Sequence, residues 1–268
     1  MLAAQDASVD LHLQGTMTSQ TPFDLRWFAH RGGGDAAPEN TLAAFETGFK
    51  AGFRAFECDV KRSADGVLWL LHDDTLDRTT DARGPAAPWR WENLQCVDAG
   101  SWHSPRFKGE PPAALDQALD FAARHRLWLN LEIKPNPGED AVTGEAVARR
   151  AAQWAAAHPA VPAPLLSSFS LAALQAARAT LDALNSALPL ACLSEDCGEA
   201  ALAQAVALRA EGLHTGWRQV APEVIAAVHA AGLKLRAYTV NEPSVAQHLL
   251  ASGLDGLFTD RMGLPREF

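Results

Sequence analysis

Short apolar runs alternate with longer runs rich in Ala and Leu along most of the chain. The short runs have the composition of buried strands, and the longer ones have helical periodicity. The predicted strands are Trp27–His30, Phe56–Val60, Trp128–Lys134, Leu165–Ser168, Leu188–Leu193, Gly212–His214, Leu233–Thr239 and Gly256–Thr259. The predicted helices are Thr41–Ala51, Leu115–His125, Ala141–Ala157, Leu171–Leu184, Ala200–Leu208, Pro222–Ala231 and Pro243–Ala251. Eight strands that alternate with helices predict an α/β protein of the TIM-type (β/α)₈ barrel class.

One region interrupts this alternation. Val67–His72 has the pattern of an additional strand, and residues 73–112 are rich in Gly, Pro, Asp and Trp with little periodicity. A stretch of this length without regular structure is typical of a functional loop or a small subdomain. We therefore predict an insertion at about residues 73–112, after the second strand and before its helix.

The N-terminal segment differs from the rest of the chain. Residues 1–23 have neither the basic nor the apolar part of a secretory signal, and Met17 could serve as an alternative start. We predict that residues 1–23 are a disordered extension or an added remnant. Residues 24–268 are predicted to form one barrel domain.

Composition and charge narrow the choice of function. The chain has 268 residues, of which 48% are hydrophobic and 21% charged, and its formal net charge is −9. This charge argues against a nucleic-acid partner or an acidic membrane surface, since both need a basic patch. The missing secretory signal favours a cytoplasmic protein, and the four cysteines, which match no zinc pattern, are expected to be reduced. No apolar run is long enough to span a bilayer, which argues against stable membrane insertion. The oligomeric state stays open.

Acidic residues occupy alternate positions of two predicted strands. Glu57 and Asp59 share one face of the second strand, because side chains alternate along a strand. Asn130, Glu132 and Lys134 likewise share one face of the next barrel strand. Parallel barrel strands are normally apolar on both faces. These exceptions lie towards the carboxyl ends of the strands, where the active sites of barrels are found.

Two explanations can account for the buried carboxylates. The first is a structural ion-pair network in which Lys134 neutralises Glu132. Lys134 alone cannot balance Glu57, Asp59 and Glu132, and buried carboxylates are costly unless a cation accompanies them. We therefore favour the second explanation, a site for a hard divalent cation, Mg²⁺ or Ca²⁺, bound through carboxylate oxygens.

Two histidines end apolar strands close to these acids. His30 is followed by Arg31 and a run of three glycines, and His72 is followed by two aspartates. Histidine titrates near neutral pH, so the pair could act as general base and general acid. Arg31 and Lys134 could hold and neutralise a phosphate group. His214 also ends a predicted strand and is a weaker candidate.

Several short motifs together resemble the glycerophosphodiester phosphodiesterase family. They run in order from His30 to Asp260 and so cover nearly the whole chain. The motifs are His30-Arg31-Gly32, Pro38-Glu39-Asn40-Thr41, Glu57-Cys58-Asp59, His72-Asp73, Arg78-Thr79-Thr80, Asp98-Ala99-Gly100-Ser101-Trp102, Leu131-Glu132-Ile133-Lys134, Ser168-Phe169, Thr239-Val240-Asn241 and Thr259-Asp260.

The resemblance implies metal-dependent hydrolysis of a small glycerophosphodiester to glycerol 3-phosphate and an alcohol. It implies Glu57, Asp59 and Glu132 as ligands of the divalent metal. His30 and His72 would be the acid–base pair, with His30 as base in our working assignment, and Arg31 and Lys134 would contact phosphate. Glu39, Asn40 and Tyr238 would support the site or line the substrate; Tyr238 replaces the family's common tryptophan.

Some alternatives remain open at this stage. The glycerol 2-hydroxyl could attack internally to give a cyclic phosphate, or water could attack directly; normal turnover of a substrate without that hydroxyl would exclude the first route. A lysophospholipase D-like enzyme is a rival function, with the Trp89, Trp91, Trp102 and Phe107 cluster as its apolar surface. A non-catalytic metabolite-binding barrel is a second rival.

Overall fold

A computed structural model describes residues 24–268. The prediction for residues 1–23 lies outside the described residues. The strands are β1 Trp27–Ala29, β2 Ala55–Arg62, β3 Leu68–Leu70, β4 Trp128–Ile133, β5 Leu165–Ser168, β6 Leu190–Ser194, β7 Gly212–Gly216, β8 Lys234–Tyr238 and β9 Gly256–Thr259. The α-helices are α1 Leu42–Ala51, α2 Trp91–Leu94, α3 Leu115–His125, α4 Asp140–Ala157, α5 Leu171–Ala183, α6 Glu199–Ala207, α7 Pro222–Ala230 and α8 Pro243–Ala251.

The parallel strands close into a barrel. β1 pairs in parallel with both β9 and β2, and the remaining parallel strands follow in chain order between them. β3 is antiparallel to β2 and lies outside the closed ring. Helices follow the strands and cover the ring, and the main apolar core lies between strands and helices. The predicted TIM-type barrel is confirmed.

Some element boundaries differ from the predicted ones for clear reasons. β2 continues to Arg62 because its last residues pair with the antiparallel β3. β6 begins at Leu190 because Pro189 has no backbone N–H to donate, although its carbonyl accepts from the N–H of Leu166. The predicted region around residues 73–112 contains one short α-helix, α2, and one 3-10 helix, Pro105–Phe107, which the weak periodicity did not indicate.

β3 and the segment that follows it up to α3 have a small apolar core of their own. This core consists of Trp69, Leu71, Leu76, Ala86 and Leu94, with Trp89 and Trp91 packed against it. The expected single cluster of aromatic residues is therefore divided. Trp102 and Phe107 contact His103 instead, with ring centroids at 5.7 Å and 5.4 Å.

The interior of the barrel has a distinct lower level, which we call the barrel floor: Phe28, Trp128, His214, Arg236 and Phe258. The Arg236 guanidinium lies 5.7 Å from the Phe28 ring centroid and 5.2 Å from that of Trp128. The His214 ring lies 5.0 Å from that of Phe258. Within the described residues, no helix is both long and apolar enough to cross a membrane.

Candidate active site

A cavity of about 200 Å³ opens at the carboxyl ends of the barrel strands. Most of the residues selected from the sequence line it, namely His30, Arg31, Glu57, His72, Asn130, Glu132, Lys134 and the weaker candidate His214. Tyr238 also lines it. Asp59 lies behind the wall, and Glu39 and Asn40 line a smaller neighbouring cavity. The fold therefore brings the candidate residues together at one end of the barrel.

Three carboxylates converge at this end, and each is buried. Glu57 and Asp59 occupy alternate positions of β2, and Glu132 lies directly opposite Asp59 in the β2–β4 register. One oxygen from each of the three residues lies within 4.8 Å of the others. Such a grouping matches the oxygen ligand set that a hard divalent cation requires.

The electrostatics of the three acids are unequal. Burial, followed by the nearby charge of Asp59, raises the pKa of Glu57 to about 8. The same two causes raise the pKa of Glu132 to about 7. Burial also acts on Asp59, but Arg31, His72 and Lys134 outweigh it and lower the pKa of this carboxyl. The acids repel one another as they stand, which a cation would relieve.

Unpartnered oxygens give an independent test of whether a cation fits. Glu57 Oε1 and Asp59 Oδ1 are buried and have no hydrogen-bond partner among the residues that the structure describes. Glu132 Oε1 lies 3.1 Å from the Lys134 ammonium but has no hydrogen-bond partner among the described residues. Buried polar atoms are rarely left unsatisfied without a reason. Oxygens of this kind, grouped as they are here, fit a divalent metal.

Arg31 is held by both its backbone and its side chain. Its backbone N–H donates to Glu57 Oε2 at 2.8 Å, and its φ is +50°. Its Nη1 donates to Glu39 Oε1 at 2.8 Å, and its Nε lies 3.6 Å from Asp59 Oδ2. The following turn is tight, because a Cβ on Gly34 would lie 2.0 Å from the carbonyl oxygen of Asp260. This turn fixes the guanidinium beside the acids.

Asn40 supports one of the acids rather than the cavity itself. Its Nδ2 donates to Asp59 Oδ2 at 2.8 Å, and its Oδ1 accepts from the backbone N–H of Asp59 at 3.1 Å. These two bonds hold the buried Asp59 side chain in one orientation. The other oxygen of Asp59 is left without a partner among the described residues.

His30 has a carboxylate partner that comes from the far end of the chain. Its Nδ1 lies 2.6 Å from Asp260 Oδ1, and Asn241 Nδ2 donates to Asp260 Oδ2 at 2.9 Å. Burial alone would lower the pKa of His30, but the bond to Asp260 and the charge of Glu57 raise it. Our sequence reasoning gave no role to Asp260 or Asn241, although both lie in motifs of the family resemblance.

His72 has a similar partner next to it in sequence. Its Nδ1 lies 2.7 Å from Asp73 Oδ1, and its Nε2 lies 3.2 Å from Lys134 Nζ. Burial lowers the pKa of His72. Asp73 in turn accepts two hydrogen bonds from Arg78, a residue that our sequence reasoning also left without a role.

His214 occupies a different level from the other two histidines. It lies inside β7 and is fully buried in the barrel floor, where its Nε2 is 3.3 Å from Arg236 Nη1. Burial and the Arg236 charge hold its pKa well below the usual range. It lines the same cavity as His30 and His72, but an arginine rather than a carboxylate lies beside its ring.

A TIM barrel with buried acids and two carboxylate-supported histidines at its mouth belongs to the class of barrel hydrolases. The sequence model of the glycerophosphoryl diester phosphodiesterase family matches residues 30–264. This chain therefore belongs to the glycerophosphoryl diester phosphodiesterase family, and it is an enzyme rather than a non-catalytic binding barrel.

Individual relatives agree with this assignment. The glycerophosphodiester phosphodiesterase of Bacillus altitudinis is 31% identical, with 87% of this chain and 93% of the relative covered. A phosphodiesterase of Oleispira antarctica, solved with its product sn-glycerol-3-phosphate, is 31% identical with a TM-score of 0.78, covering 90% of this chain and 94% of that one. The Agrobacterium tumefaciens glycerophosphodiester phosphodiesterase is 26% identical with a TM-score of 0.75, covering 93% and 100%.

Proposed function

We propose that this enzyme hydrolyses glycerophosphodiesters to glycerol 3-phosphate and an alcohol by histidine acid–base catalysis with a divalent cation. The observation that carries the proposal is the grouping of three buried acids beside a cavity that two supported histidines line. The Oleispira relative, which was solved with sn-glycerol-3-phosphate, supports the same substrate class.

Glu57, Asp59 and Glu132 would hold the cation, Mg²⁺ or Ca²⁺. When bound, it supplies positive charge that stabilises the negative charge developing on the phosphoryl oxygens. Asn40 keeps Asp59 oriented for this purpose through its two hydrogen bonds. The unpartnered oxygens of Glu57 and Asp59 support this ligand set.

Arg31 and Lys134 bind the remaining phosphoryl oxygens. Arg31 and Lys134 each lie near a different acid, since Arg31 Nε is 3.6 Å from Asp59 and Lys134 Nζ is 3.1 Å from Glu132. Glu39 orients the Arg31 guanidinium through its Nη1. This arrangement neutralises a phosphodiester in a protein whose overall charge is negative.

His30 and His72 move the protons at their Nε2 atoms. The Nδ1 atom of each ring is engaged by a carboxylate, Asp260 for His30 and Asp73 for His72. Each carboxylate fixes the orientation of its imidazole, as in other acid–base sites. One Nε2 takes a proton from the attacking group, which is either water or the glycerol 2-hydroxyl, and the other protonates the oxygen of the alcohol as its bond to phosphorus breaks. If the 2-hydroxyl attacks, water then opens the cyclic phosphate, so that both routes give glycerol 3-phosphate and the alcohol. His30 as base remains our working assignment.

Metal removal and replacement test the proposal. We expect a chelator to lower glycerophosphocholine hydrolysis by about a hundredfold or more, and added Mg²⁺ or Ca²⁺ to restore it. Glu57→Gln, which keeps the side-chain shape, should need a higher metal concentration for half-maximal rate. Glu199→Gln, on the exposed start of α6, is the matched control and should behave as wild type. Full activity in the chelator would rule out the metal role.

A lysophospholipase D-like activity is the second candidate, because an open groove adjoins the cavity. Phe169 and Tyr238 border both, and Trp217 lines the groove farther out. The exposed Phe169 ring packs edge-on against Tyr238 with centroids at 6.0 Å. This groove lies on the β5–β8 side and does not involve the tryptophans of the insertion. Comparing lysophosphatidylcholine with glycerophosphocholine as substrates decides between the two functions.

A further inference from the structure

Arg78 lies outside the cavity, yet it stands between two groups that line it. We propose that Arg78 is a positioning residue that holds Arg31 and His72 at a fixed separation, through Glu39 on one side and Asp73 on the other. The inference rests on the proposed function, because it concerns the phosphate-binding arginine and one of the two histidines. Arg78 itself belongs to the segment between β3 and α3.

The Arg78 guanidinium bridges two carboxylates with four hydrogen bonds. Its Nη1 donates to Glu39 Oε2 at 2.7 Å, and its Nη2 donates to Glu39 Oε1 at 2.8 Å. Its Nε donates to Asp73 Oδ2 at 2.7 Å, and the same Nη2 donates to Asp73 Oδ1 at 2.8 Å. Every nitrogen of the side chain is therefore engaged.

Each of these carboxylates continues to a residue of the cavity. Glu39 Oε1 also accepts from Arg31 Nη1 at 2.8 Å. Asp73 Oδ1 is also 2.7 Å from His72 Nδ1. An unbroken series of charge-assisted hydrogen bonds thus runs from Arg31 through Glu39, Arg78 and Asp73 to His72. The first two residues belong to the loop after β1, and the last three follow β3.

Only a guanidinium suits this place. Its planar fork can present pairs of N–H groups to two carboxylates at once, whereas an ammonium is a single point of charge. Without Arg78, Glu39 would keep one cationic partner, Arg31, and Asp73 would keep only the histidine bond. Both carboxylates could then rotate, and the groups that they orient would lose their fixed spacing.

The contribution of Arg78 to overall stability should be small. Its side chain is 43% exposed, and ion pairs of this exposure contribute little to folding. The segment has other attachments to the barrel, because Lys61 Nζ donates to Asp74 at 2.8 Å and Glu110 accepts from the backbone N–H of Ala43 at 3.0 Å. Variants of Arg78 should therefore fold.

Kinetics of Arg78 variants test the inference. For Arg78→Ala we expect kcat/KM to fall by about 10–100-fold, with kcat lowered through His72 and KM raised through Arg31, and with an unchanged melting temperature. Arg78→Lys should recover only part of the loss. Millimolar guanidinium ion should partly restore Arg78→Ala, whereas sodium chloride at the same ionic strength should not.

A control and a double variant complete the experiment. Arg90→Ala removes another exposed arginine of the same segment, paired with Glu92 at 3.1 Å, and should leave the kinetics unchanged. In a Glu39→Gln, Asp73→Asn background, Arg78→Ala should cost no more than about twofold, because its targets are already altered. Equal kinetics for the Arg78→Ala and Arg90→Ala variants, or a full additional loss in that background, would overturn the inference.

The assay also separates this inference from the proposed function. All variants are measured with glycerophosphocholine and with bis(p-nitrophenyl) phosphate. If the wild type cleaves both esters and Arg78→Ala cleaves them equally well, the positioning role is wrong but the proposed function is unaffected. If the wild type cleaves only the nitrophenyl ester, the proposed substrate is wrong. The relative kcat/KM values of the Arg78 variants on that ester then still test the role of Arg78. If the wild type cleaves neither ester, both the proposed function and the positioning role of Arg78 are wrong.

Discussion

The barrel interior carries buried charge at two levels, the floor and the mouth, and these levels differ in how the charge is balanced. In the floor, Arg236 Nη2 donates to Glu211 Oε1 at 2.7 Å, and Arg236 Nη1 approaches the neutral His214. The aromatic faces of Phe28 and Trp128 cover the same guanidinium. The floor charge is therefore balanced by its neighbours.

At the mouth, by contrast, the buried negative charges are not balanced by their neighbours. Glu57, Asp59 and Glu132 lie close together, and the pKa values of Glu57 and Glu132 are raised by burial and by mutual repulsion. Glu57 Oε1, Asp59 Oδ1 and Glu132 Oε1 lack hydrogen-bond partners among the described residues, and so do two nitrogens of the floor, Arg236 Nε and His214 Nδ1. A buried polar atom without a partner therefore does not distinguish the two levels. What distinguishes the candidate site is a group of like charges that the described residues leave unbalanced.

The largest expected effect tests whether the mouth serves catalysis rather than folding. His30→Ala and His72→Ala should each lower kcat by about a hundredfold or more, with melting temperatures near that of wild type. His229→Ala is the control, because His229 lies on α7, outside the cavity, and also pairs with a carboxylate, that of Asp255. Steady-state kinetics with thermal melting would show this difference. If either variant of the mouth kept its turnover, the acid–base assignment would be wrong.

A smaller effect of the opposite kind is expected in the floor. Arg236→Met should lower the free energy of unfolding by about 2 kcal/mol, because it leaves Glu211 with a weaker partner, while kcat changes by no more than about threefold. Arg149→Met removes an exposed pair with Glu145 and should change stability by less than about 0.5 kcal/mol. Chemical denaturation measures both. If Arg236→Met lost turnover but kept its stability, the floor would not differ from the mouth in the way that we describe.

The smallest effect concerns the pH dependence of stability. His214 has a depressed pKa in the folded protein, so below about pH 6.5 the unfolded chain binds a proton that the folded chain does not. Stability should therefore fall as the pH drops below 6.5, by up to about 1.4 kcal/mol per pH unit from this group. His214→Gln should remove that part of the slope between pH 7 and 5.5. Parallel slopes for wild type and variant would show that His214 titrates normally.

The fold could be predicted because its signals are local. The strands and helices of the barrel could be identified from periodicity and from prolines and glycines at several helix ends, whereas the short α2 of the insertion could not. Counting the alternating units then predicted the barrel. Even the acids of the mouth could be paired from sequence, since alternation along β2 places Glu57 and Asp59 on one face. The predicted strand ends were wrong where pairing with another strand determines them. The second strand, for example, continues to Arg62 because its last residues pair with β3.

The partners of the histidines could not be found in this way. Asp260 is 230 residues from His30 in sequence, and only closure of the ring brings them to 2.6 Å. Arg78 lies in a segment without periodicity, where a single arginine has no distinguishing pattern. The roles of Asp260 and Arg78 depend on where the folded chain places them, and the type of side chain alone does not indicate that position. The family motifs included both residues but indicated no role for either.

The pairing of β1 with β9 has a consequence for how the enzyme comes into being. Because Asp260 follows β9 and contacts His30 after β1, synthesis must proceed through β9 before the proposed acid–base pair has both of its carboxylate partners. A nascent or proteolytically shortened chain that lacks β9 would carry the acids, Arg31 and His72 yet leave the His30 imidazole unsupported. Under the proposed mechanism, full hydrolytic activity would therefore require a closed ring.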